Sequence, residues 1–371
     1  LSGLSSARAV LVHDWLTGMR GGEKVLEQLA RQFPAAPIFT LLHLAGAVSA
    51  ELEAHEIHTS FLQRMPGVKS HYRYYLPLFP HAIEALTLPP CDLVLSSSHA
   101  VAKGVRKPPG ATHVCYCHTP MRYVWDQQQA YFPDSRGPVA ALRRMVLERL
   151  RRWDVATADR VDHYLANSSF VAQRIERYYA RQARVLHPPV DTDFFNLEPS
   201  ITREAFCLYV SALVPYKRID LAVAACQSLG LELRVVGSGP ERVRLERAAA
   251  RGRSPVHFLG RISAATLRDL YRRAICFVQP GIEDFGISAV EALACGCPVA
   301  AYDGGGVQDI VDSGRHGVLY AGDTAEALAA AIDKLRNMRF NLLDLRQRAE
   351  TFSTMRFRLQ LNQHLAETCT P

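Results

Sequence analysis

The sequence predicts an α/β protein of two doubly wound, Rossmann-like halves, each a parallel sheet with crossover helices on both faces. Three observations carry this. Strand-like apolar runs alternate with helical patterns nearly from end to end, the signature of β–α crossover units. The 371 residues suffice for two domains of ordinary size, each with a buried core. Pro188-Pro189, followed by Val190-Asp191-Thr192-Asp193, makes a stiff polar connection with few helical options. The expected domains are therefore residues 1–190 and residues 191–349, with a C-terminal helix over residues 350–371 packing back on the first.

In the first half, Ala9–His13 is an apolar strand, and residues 22–32 follow with apolar positions at helical spacing. Ile38–Leu42, Leu93–Ser96 and Val114–Cys117 are further strands, and Pro138–Val155 is a helix. Asp162–Ala166 returns as a strand, Ser168-Ser169 can cap a helix to Tyr179, and Arg184–His187 closes this half. The second half repeats the pattern with strands at 206–211, 233–236, 256–258, 275–278, 299–302 and 318–320. Its helices are expected to start near Lys217, Pro240, Ser263, Gly286, Gly306 and Thr324, and the stretch from Phe340 to Thr370 reads as helical.

Composition narrows the function classes. Hydrophobic residues make up 48% and charged residues 21%, as in globular proteins. No apolar run approaches the roughly 18 residues that a bilayer span takes, so no membrane-spanning helix is expected. The first eight residues lack a basic stretch leading into a long apolar run, so no secretory leader is expected. Nine cysteines, an odd number set mostly in apolar runs, fit free buried thiols and a cytoplasmic setting. Charge is unevenly spread: residues 1–190 hold 22 Lys and Arg against 15 Asp and Glu, whereas residues 191–371 hold 21 of each. The whole +7 and eleven of the fourteen histidines thus lie in the first half. Such a half suits an anionic surface, including the inner face of a membrane, or is simply a solubilising surface. No recognised nucleic-acid motif accompanies it, so a nucleic-acid partner is not expected.

Five loops fall where a doubly wound sheet places ligands, at the carboxyl ends of strands. Glu283 and Glu291 stand eight positions apart across a strand-to-helix turn, and carboxylates are strong acceptors for the hydroxyls of a sugar. The amides of Phe285, Gly286 and Ile287 at the helix start would face the same ligand with positive dipole. Spacing alone fits a capping acid and a solvated helix acid equally well. Lys217 and Arg218 follow the first strand of the second half at a helix start, where cations are unfavourable unless an anion compensates, which favours a phosphate clamp with Lys217 inward over a solvated pair. Gly21-Gly22, after Asp14 and the first strand, is either a place for a diphosphate or a plain tight turn. Gly237 ends another strand, but Arg242 replaces the third glycine of the dinucleotide fingerprint, so a nicotinamide cofactor is not expected. His118, with Pro120 pinning its loop, should project from the carboxyl edge of its sheet; Cys115 and Cys117 lack a second pair at zinc spacing, so no metal is expected. Helix 138–154 carries an apolar stripe among five arginines and either packs on its own core or lies on anionic lipid. Residues 72–80 are a second aromatic and basic candidate for such a surface.

Together these segments resemble the retaining glycosyltransferases of family 4, which have the two-domain GT-B fold with an interdomain cleft. The resemblance rests on Glu283 to Glu291 as the E-x7-E motif, Val214-Pro215-Tyr216-Lys217, the Gly21-Gly22 loop and His118-Thr119-Pro120. Cys115 to Trp125 and Asp284-Phe285-Gly286-Ile287 are similar to bacterial mannosyl- or rhamnosyl-type enzymes of polysaccharide and lipopolysaccharide assembly.

The resemblance implies a metal-independent hexosyltransferase that takes mannose from GDP-mannose and passes it to a lipid-linked saccharide or glycan acceptor. It implies catalytic roles for His118, Glu283 and Lys217. It implies a donor site of Gly21, Gly22, Lys217, Arg218, Gly237, Arg261, Glu283, Phe285, Gly286, Ile287 and Glu291, the last on the ribose. Asp14, Arg122, Tyr123 and Trp125 would meet the acceptor. The family often carries Arg at Ala212, so Arg218 or Arg261 would complete the clamp. A nucleotide-sugar epimerase and a non-catalytic sugar-nucleotide-binding subunit are the rival readings.

Overall fold

A computed structural model describes residues 7–126 and 138–368, and the chain forms two compact units. The first runs to Pro189 and takes back the chain from Phe357 onward; the second is Val190–Arg356. Among the described residues the first unit holds strands β1 (Ala9–His13), β2 (Ile38–Thr40), β3 (Ile57–Thr59), β4 (Leu93–Ser98), β5 (Thr112–Cys117), β6 (His163–Ala166) and β7 (Ala183–Val185). They form one sheet in the order β3-β2-β1-β4-β5-β6-β7, parallel throughout. The second unit holds β8 (Phe206–Val210), β9 (Glu232–Val236), β10 (Val256–Gly260), β11 (Cys276–Gln279), β12 (Val299–Tyr302) and β13 (Gly317–Tyr320). Their order is β10-β9-β8-β11-β12-β13, again all parallel.

The apolar runs became strands because both faces of each sheet are covered. In β1, Ala9 and Leu11 face the core made with Val25, Leu26 and Leu29 of helix Gly21–Gln32, while Val10 and Val12 face a second core with Phe79, Val94 and Leu150. Burial of each such side chain contributes about 1.5–3 kcal/mol. Phe357, Leu361 and Leu365 of helix Thr354–Thr368 join the first of these cores, which brings the C-terminal segment onto the first unit.

Several elements differ from the expectation, among them the short helices Ala50–Glu53, Val68–His71 and Phe79–Glu84, which went unread. Strand β3 went unread because it is a three-residue, half-buried edge strand. The segment after Gly306 is a short 3-10 turn, Gly306–Asp309, and no α-helix. The terminal helical stretch is two helices, Leu342–Glu350 and Thr354–Thr368, and its last expected residues lie outside the described ones. The break between them is stabilised by Val190, whose amide donates to Phe352 O at 3.0 Å while its carbonyl accepts from the Thr354 amide at 3.2 Å. Among the described residues no helix is long and apolar enough to cross a membrane, and the eight cysteines are free and buried.

His113 of β5 ties stability to pH. Fully buried, it has Nε2 2.7 Å from Ser96 Oγ and Nδ1 3.1 Å from the Arg160 carbonyl. A carbonyl only accepts, which places the proton on Nδ1 and leaves Nε2 to accept from the serine hydroxyl. Burial pushes this imidazole down to about 4, so the unfolded chain takes up the proton first and stability falls as pH drops from 6.5 toward 4. Between pH 7 and pH 5 this group should remove about 2 kcal/mol. His113→Gln should flatten the pH dependence of thermal unfolding over that interval, and an unchanged slope would remove His113 from this role.

Candidate functional site

In an open parallel sheet, the loops diverge where the strand order reverses, which opens a crevice at the carboxyl ends. In the second unit that point lies between β8 and β11, whose following loops carry Lys217 and Glu283. Three glycines press the loops together. A Cβ at Gly281 would fall 2.8 Å from Lys217 Cα, one at Gly305 2.4 Å from the Glu283 carbonyl, and one at Gly306 2.3 Å from the Asp284 carbonyl. The Gly306 amide donates to Glu283 O at 2.9 Å, so the loops lie backbone to backbone. In consequence Lys217, 7% exposed, forms an ion pair through Nζ with Glu283. The pair holds a cation and a carboxylate ready in one partly desolvated spot, where either ion alone would be costly.

Around this pair the expected residues divide. Gly286, at φ 109°, starts helix Ile287–Ala294, with Gln279 directly beneath. Phe285 is buried and packs edge-on against Phe352, so only its backbone is available to a ligand. Glu291 lies little more than one turn into the helix, which begins only at Ile287. It is 5% exposed and accepts from Tyr271 OH at 3.3 Å. Burial and the nearby Glu291 carboxylate push that phenol far above its ordinary range. Arg218, in the left-handed region at φ 51°, pairs with Asp323 and lies 3.6 Å from Asp220, so acids already engage the cation expected to complete the clamp. Arg261 is exposed just past β10. Gly237 has a different reason to be glycine: at φ 134°, its Cβ would fall 1.8 Å from Ser211 O, where its loop crosses the one after β8.

In the first unit the reversal lies between β1 and β4. Asp14, just after β1, is fully buried. Its Oδ2 accepts from the amides of His99 and Ala100 at 2.6 and 3.0 Å, and its Oδ1 from those of Val101 and Ala102 at 2.6 and 2.8 Å. Burial would raise this carboxyl, but His99, His13 and the amides outweigh it and hold it well below the usual range. With both oxygens accepting from these amides, Asp14 anchors the loop after β4.

His118 follows β5 at the same edge. Its Nε2 is 2.8 Å from Ser97 Oγ, and its carbonyl accepts from Asn167 Nδ2 at 2.9 Å. Burial, with His99 and His13 alongside, pushes the imidazole well below its ordinary range, so it is neutral at pH 7. Such a ring can donate and accept at once, as a sugar hydroxyl requires. Gly22, in the first turn of helix Gly21–Gln32, lies against His13 and His118, where a Cβ would make ordinary contacts at 3.5 and 3.6 Å. His13, Glu23, Ser97 and His99 escaped the sequence reading; the available signal was the place of His13, Ser97 and His99 at or near the ends of β1 and β4 and of Glu23 in the first turn of the helix after β1. His13 Nε2 lies 3.9 Å from Glu23 Oε1, and the rings of His99 and His118 are 6.3 Å apart.

Arg122 and Tyr123 are half-buried beyond this edge, and Tyr123 packs on the apolar core. Trp125 stacks on Tyr178 at 4.3 Å, lies under Arg151 at 5.0 Å and donates from Nε1 to Asp154 Oδ2 at 2.8 Å. Trp125 is thus held by three contacts within its own unit.

Two family models match consecutive parts of the chain: Glycosyltransferase Family 4 over residues 19–194 and Glycosyl transferases group 1 over residues 191–352. The chain belongs to the family 4, group 1 glycosyltransferases. A D-inositol 3-phosphate glycosyltransferase 2 of Catenulispora acidiphila is 34% identical over 209 residues, 47% of this chain and 49% of that protein. A GDP-mannose-dependent alpha-mannosyltransferase of Mycolicibacterium smegmatis is 38% identical over 130 residues, 34% of this chain and 33% of that protein. The chain spans about half the length of the curated relatives it matches first. Among solved structures, Anabaena Alr3699/HepE in complex with UDP and glucose superposes with a TM-score of 0.72 at 17% identity, over 97% of this chain and 99% of that one, which establishes the GT-B fold.

For this family member, Asp14→Asn should lower the stability of the first unit by about 3 kcal/mol, since an amide NH2 cannot accept from the loop amides. Urea unfolding measures it, and a loss below about 1 kcal/mol would mean that other contacts hold the loop.

Proposed function

We propose that the chain is a retaining hexosyltransferase that moves mannose from GDP-mannose to a lipid-linked saccharide or glycan acceptor in bacterial cell-surface polysaccharide assembly. The observation that carries this reading is the Lys217–Glu283 ion pair at the strand-order reversal of the second sheet. A cation and a hydroxyl acceptor in contact match the two halves of a nucleotide-diphosphate sugar. Mannose and GDP are favoured by the alpha-mannosyltransferase relative, whose printed donor is GDP-mannose.

In this reading the donor diphosphate displaces Glu283 from Lys217 and takes the cation for itself. Glu283 then turns to hydroxyls of the transferred sugar, together with the amides of Phe285, Gly286 and Ile287. Glu291 serves the ribose, and Arg218, Arg261 and Gly237 line the nucleotide. In the first unit, Gly21-Gly22 supplies the helix-start amides for phosphate and the neutral His118 handles a sugar or acceptor hydroxyl, with Arg122 and Tyr123 nearby in sequence. Cleavage of the sugar–phosphate bond builds positive charge on the ring and negative charge on the leaving diphosphate. Preorganised cations and amides therefore serve better than a nucleophile, and the acceptor hydroxyl attacks the same face while the leaving phosphate takes its proton. No metal or cofactor is needed in this scheme.

Lys217→Ala should lose about 3–4 kcal/mol of transition-state stabilisation, the scale of one lost oxyanion donor. Steady-state kinetics with GDP-mannose measures it, and activity within about tenfold of wild type would remove Lys217 from this role. Glu283→Ala should abolish transfer yet leave binding of bare GDP nearly intact; equal loss of both would make the residue structural. A thermal-shift series of nucleoside diphosphates and their sugars names the donor, since a ligand at a hundred times its dissociation constant adds about 2.7 kcal/mol. Conversion of donor without acceptor would instead indicate an epimerase, and absence of any turnover a non-catalytic subunit.

A further inference from the structure

Residues 99–104, which follow β4, are held at both ends by buried side chains from elsewhere in the first unit. Asp14 gathers the amides of residues 99–102 at one end. Lys103, the next residue and 1% exposed, crosses to helix Pro138–Ala156 at the other. Its Nζ donates to the Asp154 carbonyl at 2.5 Å and to Thr157 Oγ1 at 3.0 Å, and pairs with Asp154 Oδ1 at 3.2 Å. The same ammonium lies over the Tyr179 ring at 4.6 Å. Gly104 brings the backbone down on the helix, since a Cβ there would fall 2.5 Å from the Trp153 ring.

Asp154 is fully buried, and its second oxygen reaches the neighbouring loop. Oδ2 accepts from Trp125 Nε1 at 2.8 Å and from Tyr179 OH at 2.9 Å. Trp125 belongs to the loop after β5, which begins with His118 and is pinned at further points. Asn167 Nδ2 donates to His118 O at 2.9 Å, Arg174 Nη1 to Thr119 Oγ1 at 2.6 Å and Arg151 Nη2 to Val124 O at 2.6 Å. One buried residue thus joins the loops that carry His99 and His118, whose rings are 6.3 Å apart.

A buried ion pair is a poor source of stability, because attraction only about offsets the hydration that both charges lose, and an apolar pair of similar volume often serves as well. What apolar contact lacks is direction, which a fully hydrogen-bonded charge network supplies. We propose that the Lys103–Asp154 pair is a positioning device for glycosyl transfer: it locks the loops after β4 and β5 to each other and so sets the places of His99 and His118, without touching substrate. The proposal rests on the reading of His118 as the group that meets a sugar or acceptor hydroxyl. Such a group tolerates little misplacement, since an error of about 1 Å can cost about a hundredfold in rate.

Variants of the whole chain test it. Asp154→Asn alone strands the buried ammonium and should melt well below wild type. Lys103→Met with Asp154→Asn removes both charges, keeps an oxygen for Trp125 and Tyr179, and should restore most of the melting temperature. The imidazole of His118, followed by NMR across pH, reads the place of its loop. Burial, with His99, His13 and Arg122 nearby, holds this ring well below the ordinary histidine range against the opposing charge of Asp14. In the double variant it should titrate nearer the ordinary range, and kcat for release of GDP from GDP-mannose should fall about tenfold or more with KM unchanged. A double variant in which the melting temperature and the His118 titration both return to wild type would reduce the pair to a structural one and overturn the proposal. Should the double variant fail to fold, Trp125→Phe and Tyr179→Phe decide. Each removes one donor from the same Asp154 oxygen, but only Trp125 belongs to the loop of His118. The His118 titration is expected to shift in the first and to hold in the second, and equal behaviour in both would overturn the proposal. The imidazole readout needs no substrate, so a wild type inactive on GDP-mannose would count against the donor assignment and not against the pair.

Discussion

Backbone-to-backbone contact among three loops of the second unit makes the rest of its site possible. Gly281, Gly305 and Gly306 lie where a Cβ would fall 2.3–2.8 Å from neighbouring backbone, far inside contact distance. With side chains there, the turn at Pro215–Lys217 and the loop of Glu283 would be forced apart, and Lys217 would lose its partner. Because the glycines let the loops close, the cation and the carboxylate sit beneath the surface, where charge interacts more strongly than in water. The same closeness fixes the position of Gly286 and hence the start of the helix that bears Glu291.

The first unit solves the same geometric problem differently. There one buried carboxylate, Asp14, gathers four successive amides of residues 99–102 and so fixes the loop after β4. That loop carries His99, and the strand before it carries Ser97, which bonds His118. The neutral His118 is therefore held through Ser97 on one side and Asn167 on the other. Both units thus place polar side chains at the reversal of strand order, the one place where a parallel sheet leaves its carboxyl ends uncovered.

Several of the expected residues already have partners inside the protein, and the reasons are physical. Trp125, an aromatic in a motif-bearing loop, packs against Tyr178 and Arg151. Arg218, a cation at a helix start, finds its compensating anions in Asp323 and Asp220 of its own unit. A linear pattern can say that such groups need partners, but not whether the partner is ligand or protein.

The sequence by itself determined the alternation of strands and helices, the sites of Lys217, Glu283 and His118 at strand ends, and the helix starts at Ser168, Ser263 and Thr324. Those features follow from local periodicity and from groups within a few residues of each other. Tertiary structure alone decided which strand ends become neighbours, because strand order depends on packing across the whole sheet. It therefore decided that Lys217 meets Glu283, 66 positions further along the chain, and that Asp14 meets residues 99–102. It also decided that the stripe of helix Pro138–Ala156 is half core and half surface, since periodicity records which side of a helix is apolar but not where the core beneath it stops.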